Sequence, residues 1–242
     1  MQHRVSSLTG YTIRATDGDL GKVDDFYFDD KSWVIRYLVV DTGNWLSERK
    51  VLIAAVALGK PDCELRTFSV NLTRAQVRNS PDIDTAGPIF RQHEAELHDY
   101  YQWPRYWEGG YGGALGITPY PLLENPLVQG PAPFERPDDP HLRSTRQVMG
   151  YQVHATDDQV GQVDDLIVDD ENWMLRFLVV DTGSTPAGRK IIIPPARVLS
   201  VNWPDASVHL DFLQESIKDF PDFDPLKTIH RNYTDNLSLS RK

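Results

Sequence analysis

The chain has 242 residues and a formal net charge of −10 at pH 7, from 35 acidic and 25 basic side chains. This length allows two domains, each with its own core. The single cysteine excludes an intrachain disulfide and a cysteine-based zinc site, and the excess of negative charge argues against nucleic acid as a partner. No apolar run reaches the roughly 18 residues of a membrane span, and the first residues lack the apolar core of a signal peptide. The expected location is therefore the cytoplasm.

The sequence contains an internal duplication. Residues 10–53 and 150–193 align without a gap and are identical at 22 of 44 positions. Residues 103–140 contain 8 prolines and 6 glycines, a composition typical of a linker. We therefore divide the chain into a first repeat over residues 1–102, a linker over 103–140 and a second repeat over 141–242. The aromatic start of the linker is expected to lie against a barrel, and its length leaves the two repeats either separate or folded together.

Short strands separated by turn residues dominate each repeat. In the first repeat, strands are predicted over residues 11–15, 22–28, 33–41 and 50–54, and two weaker strands precede residue 72. The second repeat adds strands over residues 191–193, 198–201 and 207–211. A short helix with Thr73 as N-cap is predicted over residues 73–79. About six strands in some 65 residues are typical of a small barrel, so the predicted fold is mainly β, with two small β-barrels and a short helix after each.

Pairs of aspartates stand at both ends of the second predicted strand, "VDDFYFDD". A β-bulge at Asp24 and Asp25 would keep the apolar residues of this strand on one inward face. Asp29 and Asp30 would then lie in a hairpin, where carboxylates accept turn amides. The second repeat has the same pattern at Asp164, Asp165, Asp169 and Asp170. These roles are structural, and a weak cation or proton-relay site is the alternative.

Charged residues also recur near the ends of the next strands. Arg36, Asp41 and Arg49 of the first repeat correspond to Arg176, Asp181 and Arg189 of the second. Their spacing suggests ion pairs at strand ends, which we favour over a ligand-binding role.

The segment "RQHEAELHDYY" resembles a zinc-protease helix only superficially. Its histidines, His93 and His98, are five residues apart and so lie on different faces of a helix. Ile89, His93, Leu97 and Tyr101 recur every four residues, which predicts a packing face instead. Glycine-rich and acidic stretches elsewhere lack the spacing of nucleotide or calcium loops. Cys63 lies in a variable loop, and no catalytic constellation, metal site or cofactor is expected.

The segment "GYTIRATDGDLGKVDDFYFDDKSWVIRYLVVDTG" and its second copy resemble the PRC-barrel domain, which is named for the cytoplasmic domain of the photosynthetic reaction-centre H subunit. The resemblance covers residues 9–84 and 149–224. Two such domains with a Pro/Gly linker also resemble a bacterial group of tandem PRC-barrel proteins. The resemblance implies a rigid module that docks proteins. The membrane helix of H subunits is absent from this sequence.

The leading functional hypothesis is a non-enzymatic scaffold that binds a protein partner or a second copy of itself. The candidate interaction sites are Trp45 and Leu46, in a loop that differs between the repeats, and Trp103 and Trp107 at the aromatic start of the linker. One alternative is a peripheral, H-subunit-like modulator of electron or proton transfer, which leaves peripheral association with a membrane open. A second is an unrecognised hydrolase.

Overall fold

The structure, a computed structural model, describes residues 1–47, 49–85, 87–107, 141–183 and 189–223. The predicted linker beyond residue 107 and the tail of the second repeat from residue 224 lie outside the described residues. The strands of the first repeat are β1 (Gln2–Arg4), β2 (Thr12–Ala15), β3 (Gly18–Asp29), β4 (Val34–Asp41), β5 (Lys50–Ala54) and β6 (Thr67–Ser69). Those of the second repeat are β7 (Leu142–Ser144), β8 (Gln152–His154), β9 (Gln159–Asp169), β10 (Leu175–Asp181), β11 (Lys190–Ile193), β12 (Val198–Asn202) and β13 (Ser207–Leu210). The α-helices are α1 (Val5–Leu8), α2 (Arg74–Arg78), α3 (Arg91–Tyr101) and α4 (Thr145–Val148).

The strands form two sheets of corresponding topology. The first has the order β5-β4-β3-β2-β6, and the second has the order β11-β10-β9-β8-β13-β12. The pairs β2–β6 and β8–β13 are parallel, and the other neighbours are antiparallel. The prediction of a mainly β chain is confirmed. The predicted closure into barrels is not confirmed, because no ladder among the described residues joins the outer strands of either sheet.

The first strand of each repeat lies in the sheet of the other repeat. Strand β1 pairs with β9, where Gln2 lies opposite Asp169, and β7 pairs with β3, where Leu142 lies opposite Asp29. These strands were not predicted, because "QHR" and "LRS" are three residues long and contain no β-branched residue. The exchange means that each sheet is completed by the other repeat.

The two hairpins that follow β3 and β9 meet each other. Trp33 and Trp173 both adopt positive φ angles, 55° and 58°, at these turns. The N–H of Ile35 donates to the Trp173 carbonyl at 2.8 Å, and the N–H of Leu175 donates to the Trp33 carbonyl at 2.8 Å. Each repeat thus donates the same hydrogen bond to the equivalent residue of the other, as two copies around an approximate twofold axis do.

One hydrophobic core extends through both repeats. Across the junction, the rings of Phe26 and Trp173 are 6.5 Å apart, and those of Phe28 and Trp203 are also 6.5 Å apart. Of the two arrangements that the linker left open, the structure therefore has the packed one. A smaller apolar cluster lies between the first sheet and α3, and another covers the outer face of the second sheet.

Each long strand has a bulge at its first pair of aspartates, Asp24–Asp25 in β3 and Asp164–Asp165 in β9. These are called the inner pairs, and Asp29–Asp30 and Asp169–Asp170 the outer pairs. The pairing of β3 with β4 shifts between Val23 and Asp25, which leaves Asp24 as the extra residue. The pairing of β9 with β10 shifts in the same way at Asp164. As the alternation required, Phe26 and Phe28 then both point into the core and are completely buried.

Candidate functional site

Asp25 holds the exchanged segment of the second repeat against the first sheet. One carboxylate oxygen accepts from the N–H of Phe26 at 2.7 Å, the hydroxyl of Thr145 at 3.0 Å and the N–H of Arg146 at 3.2 Å. The other oxygen accepts from the hydroxyl of Ser144 at 2.5 Å. A single buried carboxylate thus satisfies donors at the start of α4, which a short helix cannot satisfy itself.

Asp165 performs the reciprocal task for the first repeat. It accepts from the N–H of Leu166 at 2.8 Å, from Nε of Arg4 at 2.6 Å and from the N–H of Ser6 at 3.2 Å. Its side chain is completely buried. The second aspartate of each inner pair therefore ties one repeat to the other.

The first aspartate of each inner pair forms ion pairs with lysine or arginine side chains near the surface. Asp24 lies 2.8 Å from both Lys50 Nζ and an Arg146 nitrogen, and Asp164 lies 2.6 Å from Lys190 Nζ. Partial burial disfavours the charged form of Asp24, but the hydrogen bonds from Arg146 and Lys50 outweigh it and lower the pKa of this carboxyl.

The outer aspartates combine turn and junction contacts. Asp29 accepts from the N–H groups of Lys31 and Ser32 at 3.2 and 2.7 Å, as expected for a hairpin. Asp30 instead binds Arg143 of the exchanged strand at 2.9 Å. In the second repeat, Asp169 binds Arg176 at 3.1 Å. Asp170 binds Nε2 of His3 at 2.9 Å.

The remaining residues that recur in both repeats have mixed roles. Arg36 lies with its guanidinium 3.9 Å from the ring centre of Tyr106. Asp41 and Asp181 accept the turn N–H groups of Gly43 and Gly183, each at 2.9 Å. Arg49 binds Asp82 and Arg189 binds Asp222, each at 2.9 Å. Arg49, Arg176 and Arg189 thus form ion pairs with aspartates outside the recurring set, whereas Asp41 and Asp181 cap turns.

The predicted interaction residues of the first loop pack against their own repeat. Nε1 of Trp45 donates to the carbonyl of Leu20 at 2.6 Å, and the Arg74 guanidinium lies 4.4 Å from the Trp45 ring centre. Trp45 and Leu46 are both partly buried against the core. A role for these two residues in binding a partner stays a prediction.

The aromatic residues at the start of the linker cover α3. The ring of Trp103 stacks on Tyr101 at 4.2 Å, and the ring of Trp107 meets His98 at 4.9 Å. The Arg91 guanidinium lies 4.6 Å from the Trp107 ring centre. Trp103 and Trp107 are thus partly buried, and their predicted part in an interaction also stays open.

Beneath α3 lies a buried polar network centred on Glu94, whose side chain is completely buried. One carboxylate oxygen is 3.0 Å from an Arg91 nitrogen and 3.0 Å from Nε2 of His141, which comes from the second repeat. The other accepts hydroxyl hydrogen bonds from Tyr37 at 3.0 Å and from Tyr106 at 2.5 Å. Four partners therefore surround one buried carboxylate.

The network continues from Tyr37 to His98. Nε2 of His98 lies 2.8 Å from the Tyr37 hydroxyl, and its Nδ1 lies 2.9 Å from the carbonyl of Pro104. A carbonyl only accepts, so Nδ1 carries a hydrogen. The Tyr37 hydroxyl therefore lies between the Glu94 carboxylate and the His98 ring and joins them in one continuous hydrogen-bonded chain.

Burial is the largest cause of the pKa shifts of three members of this network, His98, Tyr37 and Tyr106. It lowers the pKa of His98, against the attraction of Glu94. Burial and then the charge of Glu94 raise the pKa of Tyr37 and of Tyr106 well above the usual range for tyrosine. Both phenols therefore stay protonated at neutral pH and act as hydrogen-bond donors.

Sequence reasoning missed this network. It placed His93 on the packing face, but the buried residues of α3 are Glu94, Leu97 and His98. Nδ1 of His93 instead lies 3.4 Å from the N–H of Phe90 at the start of the helix. A signal was present in the alignment of the repeats, because the network residues are replaced in the second copy. Tyr37, Glu94 and His98 correspond to Phe177, Thr234 and Ser238.

An open cleft of about 550 Å³ lies where the exchanged segment meets the first sheet. Its lining includes Asp24 and Lys50 from the first repeat and Arg146 from the second. The apolar part of the lining is formed by Val39, Ile89 and Leu142. Tyr27 also lines the cleft and donates to the carbonyl of Thr85 at 2.8 Å, and burial raises its pKa to about 12. Val39, Ile89 and Leu142 are already buried against the first sheet, so the exposed lining of the cleft is mainly polar and charged.

Among the described residues, no group of three His, Cys, Asp or Glu side chains has a geometry that would hold a metal ion. None of the helices in this part of the chain is both long and apolar enough to cross a membrane.

Two sheets of equivalent order, completed by exchanged strands and sharing one core, define a duplicated, mainly β protein. The family model of the PRC-barrel domain matches residues 1–62 and 143–216, more than half of the chain. The chain belongs to the PRC-barrel family, with the domain found in two segments, as its sequence resemblance predicted. No curated protein matches it.

Proposed function

We propose that the protein is a non-enzymatic docking platform, in which the cleft beside the exchanged segment binds a protein partner or a second copy of the chain. The observation that carries the proposal is the joint construction of the cleft by both repeats. Lys50 belongs to the first sheet, and Leu142 and Arg146 belong to the segment that the second repeat contributes.

Rigid surroundings support this role. The buried hydrogen bonds of Asp25 fix the position of Ser144 and Thr145, next to the cleft. A surface held in place before binding loses little conformational entropy when a partner arrives. The charged groups at the rim would orient the partner and pair with charged groups of opposite sign on it.

The duplication offers a matched test of the cleft. Lys50 and Lys190 occupy equivalent positions, bind equivalent aspartates and are 42% and 41% exposed. Partners are captured from the native cell with the purified chain, and their affinities are then measured for Lys50→Glu and Lys190→Glu. We expect Lys50→Glu to weaken binding by roughly tenfold or more, since charge reversal at an interface commonly costs that much. Lys190→Glu should bind as the original chain does.

Equal binding by both variants and the original chain would exclude the cleft as the docking site. Sedimentation of the purified chain separates self-association from binding of another protein. The same assay with Leu46→Ala tests the loop that the sequence singled out.

A second candidate function is the modulation of proton transfer in a membrane-bound partner. The Glu94–Tyr37–His98 geometry favours it, because the Tyr37 hydroxyl joins a buried carboxylate to an imidazole in one hydrogen-bonded chain. This hypothesis predicts that the protein co-fractionates with membranes and that His98→Gln alters the proton-transfer rate of the partner. A protein that stays entirely in the soluble fraction, with no such partner, would count against it.

A further inference from the structure

The fold brings Cys63, His3 and Asp170 together, although they are far apart in sequence. Sγ of Cys63 lies 3.9 Å from Nδ1 of His3, and Nε2 of His3 lies 2.9 Å from a carboxylate oxygen of Asp170. The cysteine belongs to a loop of the first repeat, and the aspartate belongs to the hairpin after β9. The histidine is on the exchanged strand β1 that joins them.

The order of atoms is that of an activated thiol. In such sites a thiol gives its proton to an imidazole, and a carboxylate on the other ring nitrogen orients the ring and stabilises its positive charge. The distance of 3.9 Å is at the long end for a sulfur–nitrogen hydrogen bond, as is common before a substrate binds.

An activated thiol must be accessible, whereas the groups that activate it must be held in place, and the exposure of the three residues fits both needs. Cys63 is exposed and accessible to a reagent. The side chain of His3 is only 8% exposed and that of Asp170 only 7%, so the imidazole is held in place beneath the thiol. Nδ1 is the ring nitrogen of His3 that faces the sulfur, so it is placed to accept the thiol proton.

Other charged groups surround the thiol. Burial raises the pKa of Tyr11, and its interaction with Cys63 adds to this rise. The Arg66 guanidinium lies 5.2 Å from the Tyr11 ring centre. The neighbouring charged groups are Asp62 and Arg66 on the loop, and the Met1 amino group bound to Asp170.

We propose that Cys63 is a modification site that forms mixed disulfides with small disulfides such as glutathione disulfide. His3 accepts the thiol proton, and the sulfur attacks one sulfur atom of the reagent. The disulfide bond of the reagent breaks as the bond to Cys63 forms. The departing thiolate takes the proton from His3, so Cys63 is oxidised and one equivalent of thiol is released.

The test follows the rate of reaction with a nitrobenzoate disulfide, whose released thiolate is coloured. Cys63 is the only cysteine, so the signal reports this residue alone. At about pH 6 an ordinary thiol is well below 1% ionised. We expect the folded chain to react on the order of tenfold or more faster than the same chain unfolded in denaturant at this pH, and the two rates to approach each other near about pH 9.

Variants separate activation from simple exposure. His3→Gln should lower the rate at about pH 6 to that of the unfolded chain, and Asp170→Asn should give an intermediate rate. His93→Gln is the matched control and should leave the rate unchanged. Mass spectrometry after treatment with glutathione disulfide should show one adduct on Cys63.

A folded chain that reacts no faster than the unfolded chain at every pH would overturn the proposal, and this comparison needs no variant to fold. An unchanged rate in folded His3→Gln would overturn it equally.

Discussion

Each inner pair of aspartates divides two tasks between neighbouring residues. Asp25 is buried and binds the exchanged segment, whereas Asp24 faces the cleft and binds Lys50 and Arg146. The bulge at Asp24 adds one residue to the strand, so Val23 and Phe26 both face the core on either side of the aspartate pair. A cluster of carboxylates that could have been an ion site is instead used to join the repeats.

Replacement of Asp25 by alanine should destabilise the protein strongly. It leaves the donors of Ser144, Thr145 and Arg146 without their acceptor at the buried junction. We expect Asp25→Ala to lower the free energy of unfolding by about 2–4 kcal/mol, as estimated from lost caps and buried hydrogen bonds, in denaturant titrations.

Asp24→Ala is the control for this effect. Its partners Lys50 and Arg146 are 42% and 57% exposed, so the expected loss is below about 1 kcal/mol. Similar losses in the two variants would show that Asp25 does not hold the junction.

His98 should make stability depend on pH. Burial lowers its pKa in the folded protein, so the unfolded chain binds more protons at pH values between the lowered pKa and the ordinary value of 6.5. The free energy of unfolding should therefore fall as the pH decreases through this window. Glu94 and Arg105 act on the same ring with opposite signs. Denaturant titrations at several pH values should show a smaller decrease in His98→Gln, and an equal decrease would contradict the assignment.

At the scale of elements, the close approach of β3 to β4 requires a glycine. Gly21 has a φ of +151°, and a Cβ added there would lie 2.0 Å from the carbonyl oxygen of Asp41. The contact is with backbone, which cannot move aside without breaking the sheet. The equivalent Gly161 has the same distance to the carbonyl oxygen of Asp181.

Gly21→Ala should therefore destabilise the folded protein. We expect a loss of roughly 3 kcal/mol or more in the free energy of unfolding, from a backbone clash added to an unfavourable φ. Gly10→Ala is the control, because Gly10 also has a positive φ, +81°, but no atom lies within 4 Å of an added Cβ. Its loss should be about 1 kcal/mol, and equal losses would exclude the clash as the cause.

The sequence predicts the central strands well and the junction poorly. Strands β4 and β10 are runs of mainly apolar residues that include β-branched valines, and turns bound both, which are local signals. Strands β1 and β7 have no such signal, because they are extended only through pairing with the other repeat. Glu94 and His98 look like helix-surface residues until the orientation of α3 on the sheet is known. Local patterns therefore indicate the elements, whereas contacts between repeats determine the site.

At the scale of the whole molecule, the duplication produces one body with shared parts. Exchange of β1 and β7, the reciprocal bonds of Trp33 and Trp173, and the common core all link the repeats. The cleft, the Glu94 network and the Cys63 site each use residues from both repeats. None of the three would be complete in a single repeat.

Hydrogen exchange of β4 and β10 during urea unfolding tests this central claim most directly. The interlocked arrangement predicts that both strands lose protection in one cooperative transition at the same urea concentration, and that Asp25→Ala shifts both strands equally. Loss of protection in one strand while the other stays protected would contradict it, because the two repeats would then be separate domains.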